Sequence, residues 1–454
     1  MASLMVSVSG VRGIIAEGLT PDVALRFSQA FGTYLQAGKV VLARDSRVSG
    51  EMIESAVLAG LLATGCDVIQ LGVCPTPTTQ LAVENLDAAG GIMITASHNP
   101  IMWNGLKLIG SDGLFLDAEQ GQKVVAIADS GAFHLAPWDQ LGVTVHYSRA
   151  IEEHIDAILN LPYVEAEAIK ARAFKVVLDC VCGAGANLVP ELLDRLGCHT
   201  VPMYCEPTGR FPRNPEPLPE NLTELCRRVK SEAADLGIAV DPDSDRLALV
   251  DETGAPLGEE KTLALAVQHV LSRKLGPVVI NASTSLMTEQ VARAAGAEVI
   301  RTKVGEIHVA KKMREVGAVI GGEGNGGVIL PELHLGRDAP VGIALVLQRL
   351  LEHGGPMSAL SASLPRFFIT KSKVELGEID PQTALNKLKK LYAHENLDFT
   401  DGVKIVRADA WIHVRPSNTE PIIRVIAEAP TQAEAERLCE EVKGHFAPAA
   451  EVAS

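Results

Sequence analysis

The 454-residue sequence predicts an α/β protein: three similar α/β domains with mixed, mostly parallel sheets, then a smaller C-terminal α+β domain. Three observations lead there. Length is the first, because about 150 residues per domain gives roughly three domains. The second is that short apolar runs alternate with longer helical patterns, and three runs are near copies: Lys39-Val-Val-Leu-Ala, Lys175-Val-Val-Leu-Asp and Pro277-Val-Val-Ile-Asn. Each is followed by small or polar residues and then a helix-like stretch, as at 187–197. Strand, turn and helix in that order signal βαβ units with buried parallel strands. The third is a change of pattern after Leu364-Pro365.

Taken in order, the elements suggest where the domains divide. Residues 131–146 are irregular, with Pro137 and Gly142, and close a first domain at 1–148. The stretch 206–219 must be a loop inside the second, 149–252, since five prolines in fourteen residues exclude helix and central strand. After Asp251-Glu-Thr-Gly-Ala-Pro a third α/β domain runs over 253–366. The tail, 367–454, reads strand (367–375), helix (381–393), strand (403–408), strand (411–414 with 422–427) and helix (432–446).

Composition narrows the function. Hydrophobic residues at 47% and charged residues at 21% describe a folded chain, and aromatics at 4% leave aliphatic side chains to fill its cores. A net charge of −15 repels polyanions, so nucleic acid is not the expected partner, and an anionic substrate would need a local cluster of cations and backbone N–H groups. The eight cysteines form no CxxC and read as reduced structural thiols. The N-terminus lacks a signal-peptide pattern, and no run of about 18 apolar residues occurs. The expectation is a soluble, cytoplasmic protein with no membrane partner.

Four loops carry chemistry. The first follows Gly91-Ile-Met-Ile and reads Thr95-Ala-Ser97-His98-Asn99-Pro100, with Lys107 close behind. Pro100 bars an immediate helix, so Ser97 sits at a strand end, where active residues of open α/β sheets collect. A simple Ser turn is one reading; a serine that exchanges a phosphoryl group, flanked by His98 and Lys107, is the other. The Gly-x-Ser-x-Gly pattern of a serine hydrolase is absent. In the second loop, Asp241-Pro-Asp243-Ser-Asp245-Arg246, three alternating carboxylates can converge on one hard cation. An EF-hand is the rival, with Glu252 at the twelfth position. Its sixth position, however, is Arg246 instead of Gly, and its flanks read as strands, so a Mg²⁺ site open to a phosphate oxygen fits better. Arg246 would temper the acids and face substrate.

Gly321-Gly-Glu323-Gly-Asn325-Gly-Gly327 is the third loop. It lacks the lysine of a P-loop, and a plain flexible turn is one reading. The other is a lone carboxylate and amide on bare backbone, suited to vicinal sugar hydroxyls. The fourth, Arg415-Pro-Ser417-Asn418-Thr419-Glu420-Pro421, joins a cation to short hydroxyl and amide side chains, which is how a phosphate is held without a covalent bond.

In this order, with Ser9-Gly-Val-Arg12 at the start and Arg44-Asp-Ser-Arg47 next, the loops resemble the α-D-phosphohexomutase superfamily almost end to end. The resemblance implies four domains around a central cleft, each giving one loop. It implies that Ser97 is the phosphoserine and that Asp241, Asp243 and Asp245 bind Mg²⁺ with the Ser97 phosphate. Arg12, Lys107 and His98 would flank the transferring group. Glu323 and Asn325 would read the sugar, and Arg415, Ser417, Asn418 and Thr419 would clamp the second phosphate. The implied reaction interconverts a hexose 6-phosphate and 1-phosphate through a hexose bisphosphate, in a monomer or homodimer. Gly-Glu-Gly-Asn-Gly-Gly looks like archaeal-type members, whereas many bacterial relatives carry Ser at 325 and His at 327. Glucosamine phosphate is the favoured substrate, with glucose and mannose phosphates the alternatives. A sugar-phosphate sensor and a phosphatase are the competing functions.

Overall fold

In the computed structural model, which describes residues 4–7, 10–375, 380–416 and 422–446, four sheets follow one another along the chain. The first has seven strands in the order Leu4–Ser7, Gly10–Ile14, Trp103–Gly110, Gly90–Ile94, Gly38–Arg44, Cys66–Val73 and Thr144–His146. The second runs Leu247–Asp251, Leu236–Val240, Lys175–Asp179, His199–Met203, and the third Val299–Thr302, Val278–Asn281, Ile320–Glu323, Gly327–Ile329.

The three near-copy runs are the strands Gly38–Arg44, Lys175–Asp179 and Val278–Asn281. Each lies between two parallel neighbours. A strand so placed is covered on both faces, which is why these runs are continuously apolar. Beside each lies a second parallel strand, Gly90–Ile94, Leu236–Val240 or Ile320–Glu323, whose next partner in the chain is antiparallel. The serine, aspartate and glycine-rich loops are the connections at that one recurring place. Similar domains therefore present similar loops at the carboxyl ends of equivalent strands.

The fourth sheet is wholly antiparallel, in the order Phe368–Glu375, Ile422–Ala429, Trp411–Pro416, Val403–Val406, Asn396–Asp398, with helices Pro381–Leu391 and Gln432–Lys443. The sequence pattern misses Asn396–Asp398, an edge strand too short to show alternation and bounded by Asn and Asp, both depleted in strands. Apolar packing is unevenly shared. One large core runs from Ile155 to Leu364 and belongs to the second and third domains together, whereas the C-terminal domain closes its own core between Ala384 and Phe446. All eight cysteines are free, and no described helix is long and apolar enough to cross a membrane.

Candidate active site

Ser97 is buried and occupies left-handed backbone, φ +48°, a conformation uncommon for a residue with a Cβ. A small network imposes it. The Ser97 N–H donates to Thr95 Oγ1 (2.8 Å), the Thr95 hydroxyl to Asp45 Oδ2 (2.6 Å), and Arg47 Nε to the same carboxylate (3.0 Å). The remaining N–H groups of Arg47 reach the carbonyls of Ser97 (2.6 Å), Asn99 (2.7 Å), Pro100 and Trp103 (both 2.8 Å). Only guanidinium offers so many donors in a fixed fork. The loop is thereby shaped around one buried side chain, and Ser97 Oγ points out of its domain.

It meets the second domain. Ser97 Oγ donates to Asp241 Oδ2 at 3.0 Å, 144 positions along the chain, while His98 Nδ1 lies 3.3 Å from the same hydroxyl. Arg12 and Lys107 come from the paired strands Gly10–Ile14 and Trp103–Gly110, and Arg12 Nη1 donates to Asn99 Oδ1 (2.8 Å). Burial, then the cations Arg246 and Arg12, hold His98 well below its ordinary pKa, so the imidazole is neutral.

Asp241 Oδ1 accepts the N–H groups of Asp245 (3.1 Å) and Arg246 (3.2 Å), which curls the loop over the first carboxylate. The three aspartates are fully buried, and each offers an oxygen within 4.8 Å of the others. Lys107 Nζ donates to Asp243 Oδ2 (2.6 Å) and Asp245 Oδ2 (3.4 Å), Thr76 Oγ1 to Asp243 Oδ2 (2.6 Å), and Arg337 Nη2 to Asp245 Oδ2 (2.6 Å). Burial alone would raise Asp243 and Asp245, but Lys107 and Arg337 respectively outweigh it and hold both low. At Asp241 the pull of Arg246 is weaker, and burial with the two neighbouring acids pushes it well above the usual range. Asp243 Oδ1 and Asp245 Oδ1 remain buried without a hydrogen-bond partner. Three clustered carboxylates with unsatisfied hard oxygens fit Mg²⁺. The EF-hand alternative fails here: Glu252 accepts instead from the Ser358 N–H (3.0 Å) in the third domain, and strands flank the loop.

The glycine-rich loop is a hairpin with Glu323 opposite Gly327. Glu323 is not the lone carboxylate expected from sequence. Its Oε1 accepts from Asn281 Nδ2 (2.8 Å) and Gly305 N–H (2.9 Å), and its Oε2 from Arg337 Nη1 (2.8 Å) and, at 3.5 Å, Asn325 Nδ2. An incoming hydroxyl must displace one donor, and the longest bond, to Asn325, is the weakest. Arg246 Nη1 lies 3.3 Å from Glu216 Oε1, and Arg415 Nη1 lies 3.4 Å from Asp401 Oδ2. Asp401 Oδ2 also accepts the Val304 N–H (3.1 Å), next to the Gly305 that serves Glu323. Ser417, Asn418 and Thr419 lie outside the described residues.

Four family models match in succession, all described as phosphoglucomutase/phosphomannomutase: alpha/beta/alpha domain I over residues 4–135, domain II over 152–254, domain III over 259–367 and the C-terminal domain over 370–445. The chain belongs to this family. It is 40% identical to a probable phosphoglucosamine mutase of Methanopyrus kandleri, with 95% of each chain covered. It is 42% identical to a phosphoglucomutase/phosphomannomutase of Thermococcus kodakarensis, covering 95% of this chain and 96% of that one. The crystal structure of a family protein from Burkholderia thailandensis superposes with a TM-score of 0.85 at 27% identity, covering 98% and 99% of the two chains. Hexose phosphate mutase activity goes with this membership, and the chain is an isomerase.

Within this phosphohexomutase fold, Ser97, His98, Arg12, Lys107 and the aspartate trio are brought together by the geometry above. Sequence reasoning missed Thr76, Asn281, Glu306 and Arg337 altogether, and gave Asp45 and Arg47 no role beyond a motif. Arg337 carried one visible signal: a charged pair, Arg337-Asp338, just before the apolar first turns of the helix Ala339–His353.

Proposed function

We propose that the chain interconverts hexose 6-phosphate and hexose 1-phosphate through phosphorylated Ser97, with glucosamine phosphate preferred over glucose and mannose phosphates. The observation that supports this best is the 3.0 Å contact between Ser97 Oγ and Asp241 Oδ2, which joins the expected phosphoryl carrier to the expected metal loop. Asp241, Asp243 and Asp245 would hold Mg²⁺, which when bound neutralises phosphoryl charge.

The chain's own residues do the rest. As the Ser97 Oγ–P bond breaks, a substrate hydroxyl oxygen bonds to phosphorus from the opposite side, and the proton it gives up ends on Ser97 Oγ, which becomes a hydroxyl again. His98, held uncharged 3.3 Å from Ser97 Oγ, accepts a hydrogen bond from that restored hydroxyl and orients it. Lys107, raised because Asp243 and Asp245 outweigh its burial, stays protonated, and with Arg12 it offsets charge on the moving group. The bisphosphate then turns and returns its other phosphoryl to Ser97, while Glu323 and Asn325 hold the ring and Arg415, with Ser417, Asn418 and Thr419, holds the fixed phosphate. Preference for the amino sugar draws on the relative from M. kandleri, whose printed name is probable phosphoglucosamine mutase. Comparing kcat/KM for glucosamine, glucose and mannose 6-phosphates by ³¹P NMR tests it. Isomerisation fastest with glucosamine phosphate is expected; net release of inorganic phosphate, or binding without isomerisation, overturns the proposal.

A further inference from the structure

Arg337 joins loops that the sequence keeps apart. Its Nη2 donates to Asp245 (2.6 Å), its Nη1 to Glu323 (2.8 Å) and its Nε to Glu306 (3.0 Å), so one buried cation serves the metal loop, the sugar loop and a third carboxylate. Those acids outweigh the burial that would otherwise discharge it, and its ionised state is secure. Its backbone is equally fixed. The next residue, Asp338, caps the helix Ala339–His353 by accepting the Val341 N–H (2.9 Å), and accepts from His154 (2.8 Å) and His334 (3.0 Å). His334 Nδ1 accepts the Gly336 N–H, which leaves its Nε2–H to donate. The group is therefore satisfied by hydrogen bonds alone.

Gly327 lies directly in the path of this arginine. A Cβ there would stand 2.3 Å from Arg337 Cδ and 2.9 Å from its Cγ. Three carboxylates pin the guanidinium beyond those atoms, so the side chain has little freedom to give way. The bare backbone at 327 and the arginine at 337 are one device, and the space a side chain on the sugar loop would fill is the channel through which the cation enters.

We propose that Arg337 is a positioning residue that holds Glu323 and Asp245 in register, and that Gly327 is required to admit it. The kinetic part of this rests on the mutase reading above; the ion-binding part does not. Removing Arg337 takes a cation away from a metal-loop carboxylate at 2.6 Å, which strengthens that loop's pull on a divalent ion, and frees Glu323 to rotate away from the sugar. A loosened fold would weaken both ion and sugar binding.

The test uses the full chain with Mn²⁺ as the spectroscopic probe. Arg337→Gln is expected to bind Mn²⁺ about threefold more tightly by EPR titration, and to raise KM for hexose 6-phosphate about tenfold. Gly327→Ala, which keeps every charge, is expected to move KM the same way. Added to Arg337→Gln, it should cost almost nothing further, because the residue it displaces is already gone. If Arg337→Gln does not fold, Gly327→Ala carries the test alone, with raised KM in a protein that still unfolds in one cooperative transition as the supporting result. Unaltered or weaker Mn²⁺ binding by folded Arg337→Gln, unaltered KM in Gly327→Ala, or additive effects in the pair would overturn the proposal. Tighter Mn²⁺ binding in a protein with no mutase activity would uphold the ion-binding part while removing the mutase reading.

Discussion

Around Ser97 and the aspartate trio the outcome is divided: neighbours raise Lys107 and Arg337 and lower Asp243, Asp245 and Glu323 against the pull of burial, while burial prevails at Asp241, His98, Arg12 and Glu306. Where the C-terminal domain meets the third domain, burial wins at Glu428, Lys404 and His413, though Glu259 keeps Lys371 raised. Glu428 is buried, accepts from Ser285 Oγ, Leu286 N–H (2.8 Å) and Trp411 Nε1 (2.5 Å), and is raised. Lys404, donating to the Ala282 carbonyl (2.6 Å), is pushed well below its ordinary value by burial and then by Arg301. His413, between Ser283 Oγ (2.9 Å) and the Asp401 carbonyl (2.6 Å), falls to about 4 through burial. The first junction is an ionised site organised to meet phosphate and a cation. The second is a nearly neutral hydrogen-bonded seam, which exposes less unbalanced charge when it parts, as the turning over of a bisphosphate would require.

Four measurements would break or sharpen this contrast. The largest effect is expected from Ser97→Ala, with turnover falling about a thousandfold even with a bisphosphate activator; full activity in that variant would remove the phosphoserine. Next, Lys107→Met should cost roughly 3 kcal/mol in urea unfolding, because Asp243 and Asp245 lose a buried counter-charge, and Mg²⁺ should restore part of it. Glu428→Gln should cost about 1 kcal/mol, with no response to Mg²⁺, since an amide keeps an acceptor for Ser285, Leu286 and Trp411 at a carboxyl that burial already raises. Equal losses in these two variants would erase the difference between the junctions.

The fourth measurement concerns pH. Burial raises Glu260, whose carboxylate accepts the Ser285 N–H (3.0 Å), to about 8 from an ordinary value near 4.5. Between those values the folded chain keeps a proton that the unfolded chain releases, so stability should decline as pH rises from 5 to 8, by at most about 1.4 kcal/mol per unit from this group. Glu260→Gln should flatten that slope, and an unchanged slope would show that Glu260 ionises freely at the seam.

Much of this was legible in the residues. The repeated Val-Val-Leu and Val-Val-Ile runs marked the central strands because a doubly covered strand must be apolar throughout, and Asp241, Asp243 and Asp245 announced themselves by spacing. What escaped was whatever depends on a partner distant in sequence. Thr76 and Lys107 are 167 and 136 positions from the Asp243 they serve, and the Arg337-Asp338 pair says nothing of which carboxylates Arg337 reaches. Glu323 was identified, but three of its four donors come from segments outside its own loop, so its saturation could not be foreseen.

The apolar core common to residues 155–364 also dictates how the polypeptide can be cut. Ending it near residue 366 removes a unit whose interior is complete on its own. Ending it near 252 splits a single interior, leaving greasy surface on both fragments and inviting precipitation. Recombinant halves should therefore be divided only at the later point. The two middle modules, alike though they look, have ceased to be separable pieces.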